Sequence, residues 1–282
     1  MGRREDLLKL TFLGSGGAFT DFRVNYHNNV VIDAGTMNIE EPWERYILID
    51  CGATAVQSLK ELGIKPWEVA GVIITHLHGD HIAGLEQLIW ERFYTGPSGP
   101  LFRGTSIFAA PDVLPDLRAI LSPCIDEYTD MNGLVHAGGY DRLVRAHEFI
   151  PYTDENEAAW VLGDVQFNLY PTRHVESVNG KVSKPAYGVR LRAEFGAPAY
   201  YTSDTTFDPT IGDRFPDGLI FHDCSFGPVY PGTVHTHYEE LLTLPDDVRA
   251  RIVLMHHTAV PEEIDPVQGN GFGGVATRHS VW

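Results

Sequence analysis

Five apolar runs in this 282-residue chain each stop at an imidazole or a carboxylate. Val72–Thr75 ends at His76, Val165–Arg173 at His174, Ala199–Ser203 at Asp204, Leu219–Phe221 at His222-Asp223, and Ile252–Met255 at His256. Short runs rich in β-branched and aromatic residues read as strands. In packed sheets their C-terminal ends can share one rim, where loops carry binding and catalytic groups. The pattern therefore demands a fold in which residues far apart in sequence converge.

The rest of the chain fits such a layout. Leu7–Leu13, Asn29–Asp33 and Tyr46–Asp50 read as further strands. Val56–Leu62 has helical spacing and stops at Gly63, and Ile82–Phe93 carries Leu85, Leu88, Ile89 and Phe93 on one face before Gly96-Pro97. Alternating strands and helices predict a layered α/β domain, and the chain is read as one domain over residues 1–282. The stretch LGSGGAFT at 13–20 looks like a phosphate loop, but β-like sequence rather than a helix follows it, so a tight turn between strands is expected. Ser122–Glu157 is irregular and charged, an ordered hairpin insertion or a flap beside a site. Val275 to Trp282 reads as a last strand after a glycine-rich turn.

Charge narrows the partners. Counting 38 acidic against 21 basic residues gives −17, a field that repels polyanions and opposes stable nucleic-acid binding. No segment approaches the ~18 uninterrupted apolar residues of a membrane helix, and the opening MGRREDLLKL carries no signal-peptide or myristoylation pattern. A cytoplasmic location is expected. The cysteines Cys51, Cys124 and Cys224 are odd in number and far apart, and are read as buried or half-buried free thiols. The aromatics Phe19, Tyr26, Trp43, Tyr187 and Phe272 could stack on a base, but are read as core or surface packing.

The densest feature is THLHGDH at 75–81, with His76, His78, Asp80 and His81 after an apolar run. Alternation along an extended strand would put His76, His78 and Asp80 on one side, while Gly79 lets His81 swing toward a second position. One turn can then serve two cations. Imidazole with carboxylate suits zinc, with manganese or iron as alternatives. Of the 13 histidines, His27, His136, His147 and His279 are read as ordinary surface or core residues.

On these residues the chain resembles the metallo-β-lactamase superfamily, whose HxHxDH motif stands here as His76-Leu77-His78-Gly79-Asp80-His81. His174 in YPTRH, Asp204 in YYTSDT and His256 in RIVLMHH resemble the family's later ligands, so the likeness runs from about Leu10 to Thr258. It implies a four-layer αββα sandwich with metals at one edge. It also implies a first divalent cation held by His76, His78 and His174, and a second by Asp80, His81 and His256, with Asp204 bridging. His257 would be a second-layer or solvent-facing residue. Two cations about 3.5–4 Å apart can share a water, lower its pKa and drive hydrolysis, with Asp80 also orienting the hydroxide.

Three further segments resemble the branch containing ribonuclease Z and cyclic-nucleotide phosphodiesterases: PAYGVRL at 185–191, FHDCSF at 221–226 and HTHYEELLTL from His235. The likeness assigns His235 as general acid for a departing alkoxide and Asp223 as the carboxylate that orients it. The plainer reading is a helix cap for His235 and a strand-end hydrogen bond for Asp223. Only 29 residues separate His174 from Asp204, too few for the tRNA-gripping arm of ribonuclease Z. The expected substrate is a small phosphodiester, foremost a 3′,5′-cyclic nucleotide. In length and motifs the chain is similar to the phage anti-Pycsar phosphodiesterases of that type, and a homodimer is expected. Ribonuclease Z-like RNA processing, ester, lactone or sulfate hydrolysis on the same metals, and a non-catalytic ligand sensor are the alternatives.

Overall fold

The strands follow the chain as β1 (Leu10–Gly14), β2 (Asn29–Asp33), β3 (Tyr46–Ile49), β4 (Val69–Ile73), β5 (Thr105–Ala109), β6 (Tyr128–Thr129), β7 (Val135–His136) and β8 (Val144–Glu148). They continue as β9 (Trp160–Leu162), β10 (Val165–Glu176), β11 (Val182–Ala193), β12 (Ala199–Tyr201), β13 (Leu219–Asp223), β14 (Ile252–Met255) and β15 (Gly274–Val275). The structure is a computed structural model that describes residues 8–35, 41–97, 102–151, 159–176, 182–193, 196–228, 232–257 and 259–282.

One sheet has the order β1-β2-β3-β4-β5-β8 and the other β15-β14-β13-β12-β11-β10-β9. From β3 to β8 the neighbours are parallel, and so are those from β12 to β15. Parallel strands end on the same side, which is how separate runs deliver side chains to a common edge.

The burial pattern shows the layering. All five residues of β4 are buried, as suits a strand covered on both faces. Helices α1 (Ala55–Glu61), α3 (Leu85–Thr95) and α4 (Leu114–Ile125) cover the first sheet, and their Leu59, Leu88 and Leu117 join the core that also takes Phe221, Val253 and Met255 from the second sheet. On β14 alternate residues point the other way: Ile252 and Leu254 enter a separate cluster with Ile211, Phe215, Tyr238 and Leu241. The αββα sandwich expected from the resemblance is present.

Several local expectations change. The first strand runs Leu10–Gly14, and Leu7 lies outside the described residues. The helix expected at Ile82–Phe93 is two helices, α2 (Gly79–Ile82) and α3, parted at Gly84, whose N–H donates to the Cys51 carbonyl at 2.8 Å. A Cβ at Gly84 would lie 2.3 Å from the Gly52 oxygen, so close backbone contact dictates the break. Val165–Arg173 does not stop at His174; β10 continues to Glu176 with a register irregularity between Thr172 and Val175 that spans His174. Ser122–Glu157 holds the end of α4, the β6–β7 hairpin, a short helix α5 (Gly139–Leu143) and β8; residues 152–158 lie outside the described set.

The final strand is also divided. β15 pairs with β14, whereas Val281 bridges to Thr11 and Trp282 exchanges both backbone hydrogen bonds with Leu10. The C-terminal residues thus cover the edge of the first sheet, which would otherwise present unpaired backbone groups. Cys51 and Cys224 are buried as expected, but Cys124 is exposed on α4.

Candidate metal centre

His76, His78, His174 and Asp204 place one ligand-type atom each within 4.8 Å of one another, and so do Asp80, His81, Asp204 and His256. In the first group His78 Nδ1 stands 3.2 Å from His76 Nε2 and 3.0 Å from His174 Nε2. Asp204 Oδ2 is 3.6 Å from both Nε2 atoms. In the second, Asp80 Oδ2 lies 3.4 Å from His81 Nε2 and 3.2 Å from His256 Nε2. Asp204 Oδ1 is 3.2 and 3.3 Å from the same two nitrogens. Asp204 therefore turns one oxygen to each group.

The local backbone explains the division. Extended geometry stops at His78, and α2 starts at Gly79, so Asp80 is carried to His81's side and not to that of His76 and His78 as strict alternation would have it. Two strand ends are sharply turned: Ser203, before Asp204, and His256 itself have φ of 54° and 59°. So has Asp50, after β3, with φ of 61°. Left-handed residues other than glycine cost about 1 kcal/mol or more each, and such costs collect where a site dictates the geometry.

Four of the five histidines, His76, His81, His174 and His256, turn Nε2 inward and have a partner on the far side of the ring, while His78 turns Nδ1 inward. His174 Nδ1 donates to the Val234 carbonyl at 2.9 Å, and His81 Nδ1 to Asp50 Oδ2 at 2.7 Å. His76 Nδ1 donates to Thr75 Oγ1 at 3.1 Å, which in turn donates to Asp50 Oδ2 at 2.8 Å. His256 Nδ1 faces Asp223 Oδ1 at 3.2 Å. Since carbonyls and carboxylates only accept, Nδ1 keeps its proton outward, and it is the Nε2 proton that a cation would replace, leaving the lone pair facing the cluster. Asp50 was not singled out from the sequence, although its run, Tyr46–Asp50, stops at a carboxylate as the other five stop at their polar residues.

The residues fit two divalent cations. His81 Nε2 and Asp204 Oδ1 are buried without a hydrogen-bond partner, which in a protein interior calls for a ligand. Burial lowers the pKa of His76, His78 and His174, leaving neutral lone pairs crowded together. At His81 and His256 burial acts in the same sense, but Asp204 with Asp50 at the one, and Asp204 with Asp223 and Asp80 at the other, outweigh it. His81 is raised well above its ordinary value and His256 to about 10. The cluster demands positive charge, and its nitrogen and carboxylate donors suit zinc, manganese or iron.

Asp223 and His235 also meet. His235 Nδ1 donates to Asp223 Oδ2 at 2.8 Å, and that oxygen accepts the Thr205 N–H at 2.9 Å. Asp223 thus stands between His235 and His256, a double role the sequence did not show. The His235 ring lies 5.1 Å from that of His174 and 4.9 Å from that of His256, with about 31% of the side chain exposed. Burial works against its imidazolium, yet the charge and hydrogen bond of Asp223 raise its pKa. It caps no helix: the following one, Tyr238–Leu241, is capped by His237.

The remaining histidines lie elsewhere. His257 turns from the cluster and is buried with Nε2 3.1 Å from the Ala276 carbonyl, so it does not face solvent. His136 pairs with Asp130, His147 stacks on Phe108 and His279 meets Ser58 Oγ. His27 is buried near Asp80 and His256, with no well-formed hydrogen bond to its ring. Of the aromatics named above, Phe272 is buried and Phe19 is 97% exposed.

Residues 8–282 match the family model described as "Anti-Pycsar protein Apyc1". A protein of that description from Paenibacillus sp. (strain J14) is 29% identical over 267 residues, 93% of this chain and 94% of the relative. Another from Paenibacillus harenae is 30% identical over 226 residues, 79% and 81% of the two chains. Among solved structures, the metallo-β-lactamase fold protein YhfI from Bacillus subtilis superposes with a TM-score of 0.71 at 17% identity, covering 98% of this chain and 99% of its own.

Proposed function

The chain belongs to the Anti-Pycsar protein Apyc1 family and is a metal-dependent hydrolase of the metallo-β-lactamase fold, and from that premise we propose that it hydrolyses small phosphodiesters, foremost a 3′,5′-cyclic mononucleotide. The observation that carries this reading is the Asp223-held His235 beside the cluster of His76, His78, His174, Asp204, Asp80, His81 and His256. A phosphodiester needs what such a pair offers: a proton for a departing alkoxide.

In this reading His76, His78 and His174 would hold one cation and Asp80, His81 and His256 the other, and Asp204 would serve both. Two bound cations would supply Lewis acidity toward the phosphoryl oxygens and a water activated at neutral pH. Asp80 also orients the attacking water. Asp223 accepts from His235 Nδ1 and so keeps Nε2 as the nitrogen that can face substrate. When the bond from phosphorus to the ester oxygen breaks, Nε2–H passes its proton to that oxygen, and the Asp223 carboxylate stabilises the imidazolium beforehand.

Size and charge favour a small substrate. A net charge of −17 opposes the docking of a long polyanion, whereas a cyclic mononucleotide carries one negative charge to a centre that demands cations. Zinc as the native ion is consistent with the nitrogen and oxygen donors; a homodimer and a cytoplasmic site of action complete the reading. Among the described residues no helix is long and apolar enough to cross a membrane.

The test is turnover by the metal-loaded protein of cyclic AMP, cyclic GMP, bis-p-nitrophenyl phosphate and a precursor tRNA, with metal content measured alongside. Cleavage of the cyclic nucleotides to mononucleotides, with about two metals per chain, is expected. Cleavage of tRNA alone, or of none of the four, would overturn it.

A further inference from the structure

The segment Gly14–Asn28 is a stiff loop beside the centre. Gly16 N–H donates to the Tyr26 carbonyl and Asn28 N–H to the Gly16 carbonyl, both at 2.8 Å. The Asn25 side chain accepts from Ser15 N–H at 3.2 Å and donates to Ser15 Oγ at 3.0 Å. Ser15's carbonyl takes the His257 N–H at 2.8 Å, tying the loop to the residue after His256. Its tip is the turn Gly17-Ala18-Phe19-Thr20, closed by Thr20 N–H to the Gly17 carbonyl at 3.1 Å.

That turn lies against the candidate centre. A Cβ on Gly17 would sit 3.3 Å from His256 Cε1, so the Gly17 backbone rests on the His256 ring. Phe19 is two residues further, its Cα no more than about 7.6 Å from that of Gly17. Its side chain is 97% exposed. Scattered exposed apolar residues are ordinary, but this ring is carried at the tip of an anchored turn, two residues from the glycine that lies against His256. It adds nothing to the core.

We propose that Phe19 is the platform on which the base of the substrate stacks, and hence a specificity-determining residue of the site; the proposal rests on the cyclic-nucleotide reading of that site. A phenyl ring offers a π-face and no hydrogen-bond donor or acceptor, and stacking on such a face is tolerant of base identity. The site should therefore take cyclic AMP and cyclic GMP alike, and favour both over the smaller pyrimidines.

The experiment compares wild type, Phe19→Ala and Phe19→Trp on cyclic AMP and on ribose 3′,5′-cyclic phosphate, which lacks the base. Alanine should raise KM for cyclic AMP about 5- to 100-fold with kcat changed far less, shrinking the preference for cyclic AMP over the abasic compound; tryptophan should restore it. Because the residue is exposed, the thermal midpoint of the alanine variant should match wild type, which separates lost stacking from a collapsed loop. An unchanged KM, an equal loss on both substrates, or a change only in the mass of the protein in solution overturns the role of Phe19. A wild type that cleaves neither compound overturns the underlying reading, and the stacking role with it.

Discussion

Asp50 Oδ2 lies 2.7 Å from His81 Nδ1, both side chains wholly buried and 31 residues apart in the chain. The same carboxylate accepts from Thr75 N–H at 2.9 Å and from Thr75 Oγ1 at 2.8 Å. It links the end of β3 to the turn that carries the HxHxDH motif, and it decides which nitrogen of His81 faces Asp80 and Asp204.

Removing that carboxylate should weaken one cation more than the other. In Asp50→Asn the His81 ring loses its charged acceptor, and partners of this kind contribute about 10- to 100-fold in metal affinity or activity. The cation assigned to Asp80, His81 and His256 should bind that much more weakly, while the one assigned to His76, His78 and His174, which Asp50 reaches only through Thr75 Oγ1, should weaken less. Competition titration with a chelating dye would resolve the two steps; equal weakening of both would show that Asp50 supports the fold rather than the ligand.

Cation binding should expel protons. Without a cation His81 and His256 are protonated at neutral pH, the second with a pKa of about 10, because their carboxylate neighbours outweigh burial. A ligating imidazole must be neutral. Loading at pH 7 should therefore release protons from these rings, seen as a dependence of calorimetric enthalpy on the ionisation enthalpy of the buffer. The sign follows from the raised pKa values: release shrinks as pH rises through about 10, where His256 is already neutral.

Crowding under Asp80 gives a stability test. A Cβ on Gly52 would fall 1.9 Å from the Asp80 carbonyl oxygen, and that oxygen also accepts from Asn29 Nδ2 at 3.1 Å. Backbone cannot swing aside as a flexible side chain can, so Gly52→Ala must push α2 outward. Overpacking of this kind costs about 1–3 kcal/mol, and the displaced Asp80 and His81 should lose the second cation. Urea unfolding and metal analysis of the variant would show both losses together; a stable variant with full metal content would mean the α2 turn yields easily.

The course of the chain made much of this centre readable. His76, Asp204 and His256 each follow an apolar run, and parallel strand ends bring such residues to one edge. Local pattern failed where tertiary contact overrides it. Alternation put Asp80 with His76 and His78, but the helical turn from Gly79 carries it to His81. The break at Gly84 comes from the Gly52 and Cys51 carbonyls, which no periodicity within 82–93 reveals. Asp50 and the second contact of Asp223 escaped notice because a ring's outer partner depends on where strands end in space, 31 residues from His81 in the one case.

Asp223 can separate the acid role proposed for His235 from the metal role proposed for His256. Its Oδ2 receives His235 Nδ1–H at 2.8 Å, while Oδ1 faces His256 Nδ1 at 3.2 Å. His235→Ala should keep both cations and lose about 10²-fold or more in kcat on a substrate with a poor leaving group, since only the proton donor is gone. On bis-p-nitrophenyl phosphate, whose phenolate departs without help, the loss should be much smaller. Asp223→Asn should give the first defect and a second one, about 10-fold or more in affinity for the cation at His256, because the ring has lost its charged partner. A His235→Ala enzyme with undiminished turnover of cyclic AMP would remove that histidine from the reaction and leave Asp223 as a support for His256 alone.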